Sequence, residues 1–127
     1  MKRAGLLHAE LSGLIAAMGH GDLLVIGDAG LPVPPGVRCI DLAVTRGLPG
    51  MLAVLDAVCA EMVIERACIA HETGPDLREQ FRHRDLGHIE ELSHSDFKLL
   101  TRQARAVVRS GEFTPYANIG LFSGVAF

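Results

Sequence analysis

Six side chains in this sequence are of the types that move protons or hold polar ligands, and local wording leaves them accessible: His20, Asp28, His94, Lys98, Tyr116 and Asn118. Tyr116 and Asn118 close the polar turn Arg109-Ser110-Gly111-Glu112-Phe113-Thr114-Pro115-Tyr116-Ala117-Asn118, caught between the apolar run Ala106-Val107-Val108 and the strand-like Ile119 to Phe127. A tyrosine offers a flat ring with a hydroxyl and an asparagine offers both donor and acceptor, a pairing that suits a polyhydroxylated ligand. The plainer alternative is a turn whose Tyr is core and whose Asn caps the backbone, and on composition alone that alternative leads. His20 stands between Gly19 and Gly21, uncrowded, with a ring that exchanges protons near neutrality; read locally, an exposed loop histidine is the leading alternative. Asp28 follows the apolar run Leu23 to Ile26, where α/β proteins place ligand contacts, and an Asx turn with Gly30 explains it as well. His94 and Lys98 are spaced i, i+4, so they share a helix face that is either part of a pocket or ordinary solvated surface.

Other chemistries lack their spacing. No H-x-x-x-H, H-E-x-x-H or C-x-x-C pattern occurs, so no metal site is expected. No phosphate loop is present, Gly27-Asp28-Ala29-Gly30 does not fit the dinucleotide fingerprint, and Ser110 and Ser123 lack the nucleophile-elbow context. No cofactor is therefore expected. A net charge of −3 with scattered Lys and Arg leaves no basic footprint for nucleic acid. No apolar run approaches membrane-spanning length, and the apolar stretch after Met1-Lys2-Arg3 is broken by His8 and Glu10, unlike a secretory leader. Cys39, Cys59 and Cys68 are odd in number and sit in apolar surroundings, which reads as reduced core residues and a cytoplasmic protein.

The elements that must position these residues follow from periodicity. With 127 residues, 49% of them hydrophobic, the chain is expected to form one domain, 1–127, with a sizeable core. Leu7, Leu11, Leu14, Ile15 and Met18 predict a helix over about 5–18, stopped by Gly19 as a C′ glycine. Leu23 to Ile26 predicts a strand buried on both faces, and Val37 to Leu42 a second. Pro49 fits N1 of a helix running to about Met62, and Val63 to Ala70 reads as a strand interrupted by Glu65 and Arg66. Thr73 as cap and Pro75 in the first turn start a short helix through Phe81, with a polar connection at Arg84 to Gly87. Ile89 to Leu92, a helix from Ser93 capped with Asp96 and burying Phe97, Leu100 and Ala104, then strands at Ala106 to Val108 and Ile119 to Phe122, complete the chain. Strands alternating with helices give an α/β domain with helices on both faces of a mixed sheet.

Gly19-His20-Gly21, Asp28-Ala29-Gly30-Leu31-Pro32, Val33 to Val37, Ile40-Asp41-Leu42, Gly47 to Pro49, His94 to Lys98 and the closing Val107 to Phe127 together resemble the D-ribose pyranase and fucose mutarotase family (RbsD/FucU) over nearly the whole chain. The wording at Asp28 to Pro32 and Phe113 to Asn118 resembles the ribose pyranase branch specifically. The resemblance implies a three-layer α/β/α, RbsD-like, ring-forming fold, without metal or cofactor. It implies a homo-oligomer, pentamer or decamer, that interconverts pyranose and furanose forms of D-ribose. His20 becomes the expected acid-base residue; Asp28, His94, Tyr116, Ala117 and Asn118 become expected substrate contacts, and Lys98 a further candidate. The alternatives are a mutarotase for L-fucose or another monosaccharide and a sugar-binding protein without chemistry. If Asp22 to Gly27 is extended at about 3.3 Å per residue, His20 and Asp28 stand on the order of 20 Å apart, so a pocket using both is expected to draw them from neighbouring subunits.

Overall fold

The computed structural model describes residues 1–127, and alternation of side chains along its strands sets the layering. Strands β1 (Leu23–Gly27), β2 (Arg38–Asp41), β3 (Ile64–Ala70), β4 (His88–Leu92), β5 (Ala106–Arg109) and β6 (Ile119–Ser123) form one sheet in the order β2-β5-β1-β6-β3-β4. All pairings are parallel except those of β6, which runs antiparallel between β1 and β3. Five strands therefore point the same way, and their carboxyl ends share one edge of the sheet.

Leu24, Ile26, Ala67, Ile69, Ala106, Val108, Ile119 and Leu121 face one side, where helices α1 (Ala9–Ala17), α2 (Met51–Cys59) and α3 (Pro75–Arg82) bury Leu11, Leu14, Met51, Leu55, Val58 and Phe81 against them. The intervening Leu23, Val25, Cys68, Val107 and Phe122 face the other side, covered by Phe97 of α4 (His94–Leu100) and by Leu31. This is the expected three-layer arrangement with a mixed sheet. One layer is thin. At its edge Cys39 is exposed, contrary to the expected core placement, because β2 is an edge strand and α4 packs on β3 and β4 at the other end of the sheet. Cys59 is half-buried and only Cys68 is core, where burial pushes its thiol up to about 11.

Two helix starts differ from the local reading because side chains distant in sequence help decide them. α1 begins at Ala9, not near residue 5, since Glu61 accepts the Leu6 N–H at 2.6 Å and the His8 ring accepts the Leu11 N–H as N-cap. Its C-cap, Met18, is extended, and Gly19 does not act as a left-handed C′ residue; instead its N–H donates to Asp22. Pro49 lies ahead of α2 in a cis peptide, and the helix begins after Gly50 with Met51 N–H donating to Glu112. α2 also stops at Cys59, short of Met62. Gly74, not Thr73, is the N-cap of α3, with Pro75 at N1. α4 is capped as expected, Ser93 accepting the Asp96 N–H at 3.0 Å, but it gives way after Leu100 to a 3₁₀ turn over Thr101–Gln103, ahead of Ala104.

Candidate functional site

At the carboxyl edge of the sheet, the loop after β1 meets the loop between β5 and β6. Asp28 follows Gly27 directly, and its backbone N–H donates to Asn118 Oδ1 at 2.9 Å while Asn118 Nδ2 donates to Asp28 Oδ2 at 3.1 Å. Asn118 is fully buried, so its amide is engaged in fixing Asp28. Asp28 Oδ1 also accepts the Gly30 N–H, which forms the Asx turn. Two acceptor sites of four are used, and the half-buried carboxylate has the rest free.

Asp28-Ala29-Gly30 and Glu112-Phe113-Thr114-Pro115 face each other across a cavity of about 320 Å³, within the range of small-molecule sites. Glu112 shapes it. Its carboxylate accepts from Met51, Phe113 and Thr114 N–H and from the Thr114 hydroxyl, and its carbonyl accepts the Ala29 N–H at 2.9 Å. Burial pushes the Glu112 carboxyl up, but those hydrogen bonds together outweigh it and hold the group below its ordinary value. A second cavity of about 280 Å³ lies behind, where Glu112, Thr114 and Ala117 meet Leu52 of α2 and Leu77 of α3.

Tyr116 has a left-handed backbone (φ 58°), uncommon outside glycine and frequent at ligand-holding turns. The buried Thr73 hydroxyl secures that turn by donating to the Tyr116 carbonyl at 3.2 Å. The Tyr116 ring meets the His94 ring edge-on, centroids 5.0 Å apart, and His94 Nδ1 is buried without a partner. His94 sits at the first position of α4, its N–H donating to Glu72. Asp28, Asn118, Tyr116 and His94 are thus connected along one edge, with Ala117 buried between the last two loop residues. Lys98 lies one turn further along α4, exposed, and its ammonium makes no hydrogen bond or ion pair.

His20 is elsewhere. It precedes β1, at the opposite edge, in a turn fixed by Gly21 N–H donating to Ser123 O and by the Asp22 carboxylate, which accepts Gly19 N–H and Arg105. The length of β1 separates it from Asp28 by about 20 Å. Its Nε2 pairs with Glu65 Oε2 at 2.5 Å. The sequence reading missed Glu65, Glu112 and Thr73 as site components. For Glu65 the signal was present, a carboxylate interrupting an apolar strand.

The model of the RbsD / FucU transport protein family matches residues 1–126. The chain belongs to this family. Among relatives of this RbsD/FucU member, the D-ribose pyranase of Pseudomonas putida (strain GB-1) is 58% identical with both chains covered in full. The solved structure of Bacillus subtilis RbsD complexed with D-ribose superposes with a TM-score of 0.95 at 43% identity, covering 100% of both chains. The fucose mutarotase from Streptococcus pneumoniae, in complex with L-fucose, gives a TM-score of 0.80 at 25% identity over the same full coverage. The three-layer, RbsD-like subunit fold expected from resemblance is the fold found.

Proposed function

We propose that this protein is a D-ribose pyranase, a cofactor-independent isomerase interconverting the pyranose and furanose forms of D-ribose. The observation that carries the reading is the cavity at Asp28, built by the Asp28–Asn118 pair and the Glu112 loop, in a chain 58% identical over its full length to a D-ribose pyranase. A single domain over 1–127 carries the activity.

Ring opening requires a base to take the proton from the anomeric hydroxyl while the bond from the anomeric carbon to the ring oxygen breaks. The electron pair of the O–H bond becomes the carbonyl, and the ring oxygen receives a proton. The open aldehyde turns about its carbon–carbon bonds, the C4 hydroxyl adds to the carbonyl, and the same proton transfers run in reverse. Asp28 accepts hydrogen bonds from sugar hydroxyls, Asn118 fixes its carboxylate, and His94 and Tyr116 supply a polar wall with one flat face. Ala117 places these loop residues and Lys98 stands at the rim. His20 is the proton carrier.

Because His20 and Asp28 lie at opposite edges of the sheet, the complete site forms between copies, in a ring of five or ten subunits. Two features support this. Exposed Val63, Val125 and Phe127 cluster near the His20 edge, where Gly124 N–H donates to Val63 O. Exposed Leu48, Phe113 and Tyr116 gather at the other, so joining the edges would bury both apolar sets. No helix is long and apolar enough to cross a membrane, and we place the protein in the cytoplasm, as its three free thiols suit.

Saturation-transfer NMR on a panel of pentoses and hexoses, with and without protein, tests the function. Ribose is expected to exchange ring forms faster with protein present, and to do so at lower protein concentration than fucose. Binding without acceleration would make the protein a sugar-binding module, and preferential acceleration of fucose would make it a mutarotase for that sugar.

A further inference from the structure

β3 is apolar from Ala67 to Ala70 but opens with Ile64-Glu65-Arg66, and its register against β6 slips there: Ile64 faces Ser123 and Arg66 faces Phe122. Glu65 is therefore the extra residue of a β-bulge, a device that re-aims one side chain. Gly87 holds the bulge from behind. It has φ +64°, and a Cβ there would stand 2.0 Å from the Glu65 carbonyl oxygen, so only glycine permits the approach. Arg66 turns away, stacking over the Phe122 ring and pairing with Glu90. The one hydrogen-bond partner left to the Glu65 carboxylate is His20, whose Nε2 lies 2.5 Å from Oε2.

We propose that Glu65 is a positioning residue for the ring-opening reaction: it sets the tautomer and orientation of His20, making Nδ1 the nitrogen that exchanges protons with the sugar. This rests on the reading of His20 as the proton carrier. An ionised carboxylate only accepts hydrogen bonds, so the nitrogen facing it carries the hydrogen, and the other nitrogen keeps its lone pair. Nδ1 has no partner within the subunit. When Nδ1 takes the anomeric proton, the resulting imidazolium faces a carboxylate across Nε2, which stabilises the charge as it forms. The proton then passes back to a sugar oxygen, leaving His20 and Glu65 as they began.

Nitrogen-15 NMR of the imidazoles in unmutated protein, at a pH where His20 is neutral, reads the tautomer directly. The Nε2–H form is expected, and a dominant Nδ1–H form would overturn the proposal. Glu65→Gln keeps the side-chain shape at the bulge and removes the charge. It is expected to lower kcat for ribose exchange about tenfold with KM unchanged, the modest size reflecting an exposed pair. Added to His20→Ala, it is expected to change nothing further, because Glu65 acts through that ring. Full exchange in His20→Ala alone would sink the His20 reading. An inactive His20→Ala beside a fully active Glu65→Gln would leave that reading standing and remove Glu65. Should Glu65→Gln fold poorly, the tautomer of the unmutated protein decides.

Discussion

Asn118 is buried and both polar atoms of its amide bind Asp28, a residue 90 positions away in sequence. Replacing it by Ala leaves the Asp28 N–H unpaired and its carboxylate unfixed. Asn118→Ala is expected to raise KM so far that ribose exchange is lost at working ribose concentrations, and to lower stability by about 1–3 kcal/mol, read from denaturant midpoints. Wild-type KM in that variant would show that Asp28 needs no such support. His20→Ala is expected to abolish catalysed exchange while ribose binding, measured by calorimetry, persists, since the ring moves protons and contributes little affinity. Residue types at Asp28, His94, Tyr116 and Asn118 were legible in the sequence because each stands beside a strand end or turn. Their mutual bonds were not, because local wording carries no information about partners brought together by a parallel sheet. Asn118 illustrates the difference: its type allowed a ligand contact or a backbone cap, while its two bonds to Asp28 appear only in the fold.

The loop between β5 and β6 is the element on which the cavity depends, and Glu112 is its internal brace. Glu112 has a folded-state pKa below the ordinary glutamate value of 4.5, so at acid pH the unfolded chain binds more protons than the folded one. Its contribution to stability is then full above that ordinary value and is lost as pH falls through the lower folded value. The thermal midpoint is expected to drop on acidification below about pH 4.5, and less steeply in Glu112→Gln. Equal slopes would show that other carboxylates carry the effect. Gly111 locks this loop to the one before α2: its N–H donates to Pro49 O, and a Cβ there would lie 2.6 Å from the Thr45 and Leu48 carbonyl oxygens. Gly111→Ala is expected to cost about 1–3 kcal/mol by overpacking against backbone, with a matching rise in KM. Undiminished stability in that variant would mean the two loops separate freely. Strands were legible at this scale, their apolar runs and alternation being set by the sheet itself. Helix starts were less so, as Glu61 and Glu112 decide them from more than fifty residues away.

Across the whole molecule, β1 holds His20, the proposed proton carrier, and Asp28, the proposed sugar-orienting carboxylate, at opposite edges of a sheet about 20 Å deep. That separation was legible from the strand length alone. The apolar C-terminal Val125-Ala126-Phe127 was legible too; what the sequence did not convey is that His20 arrives already paired with Glu65, and that Leu48, Phe113 and Tyr116 stand exposed at the opposite edge. The central claim is that a working pocket exists only where the His20 edge of one copy meets the Asp28 edge of another. Subunit mixing tests it most directly. Inactive His20→Ala and inactive Asn118→Ala proteins, unfolded and refolded together, are expected to form interfaces in which an intact His20 faces an intact Asn118, and so to regain part of the ribose exchange seen by saturation-transfer NMR. Mixed oligomers, verified as mixed by mass, that stay as inactive as either parent would contradict the claim and confine the pocket to one chain.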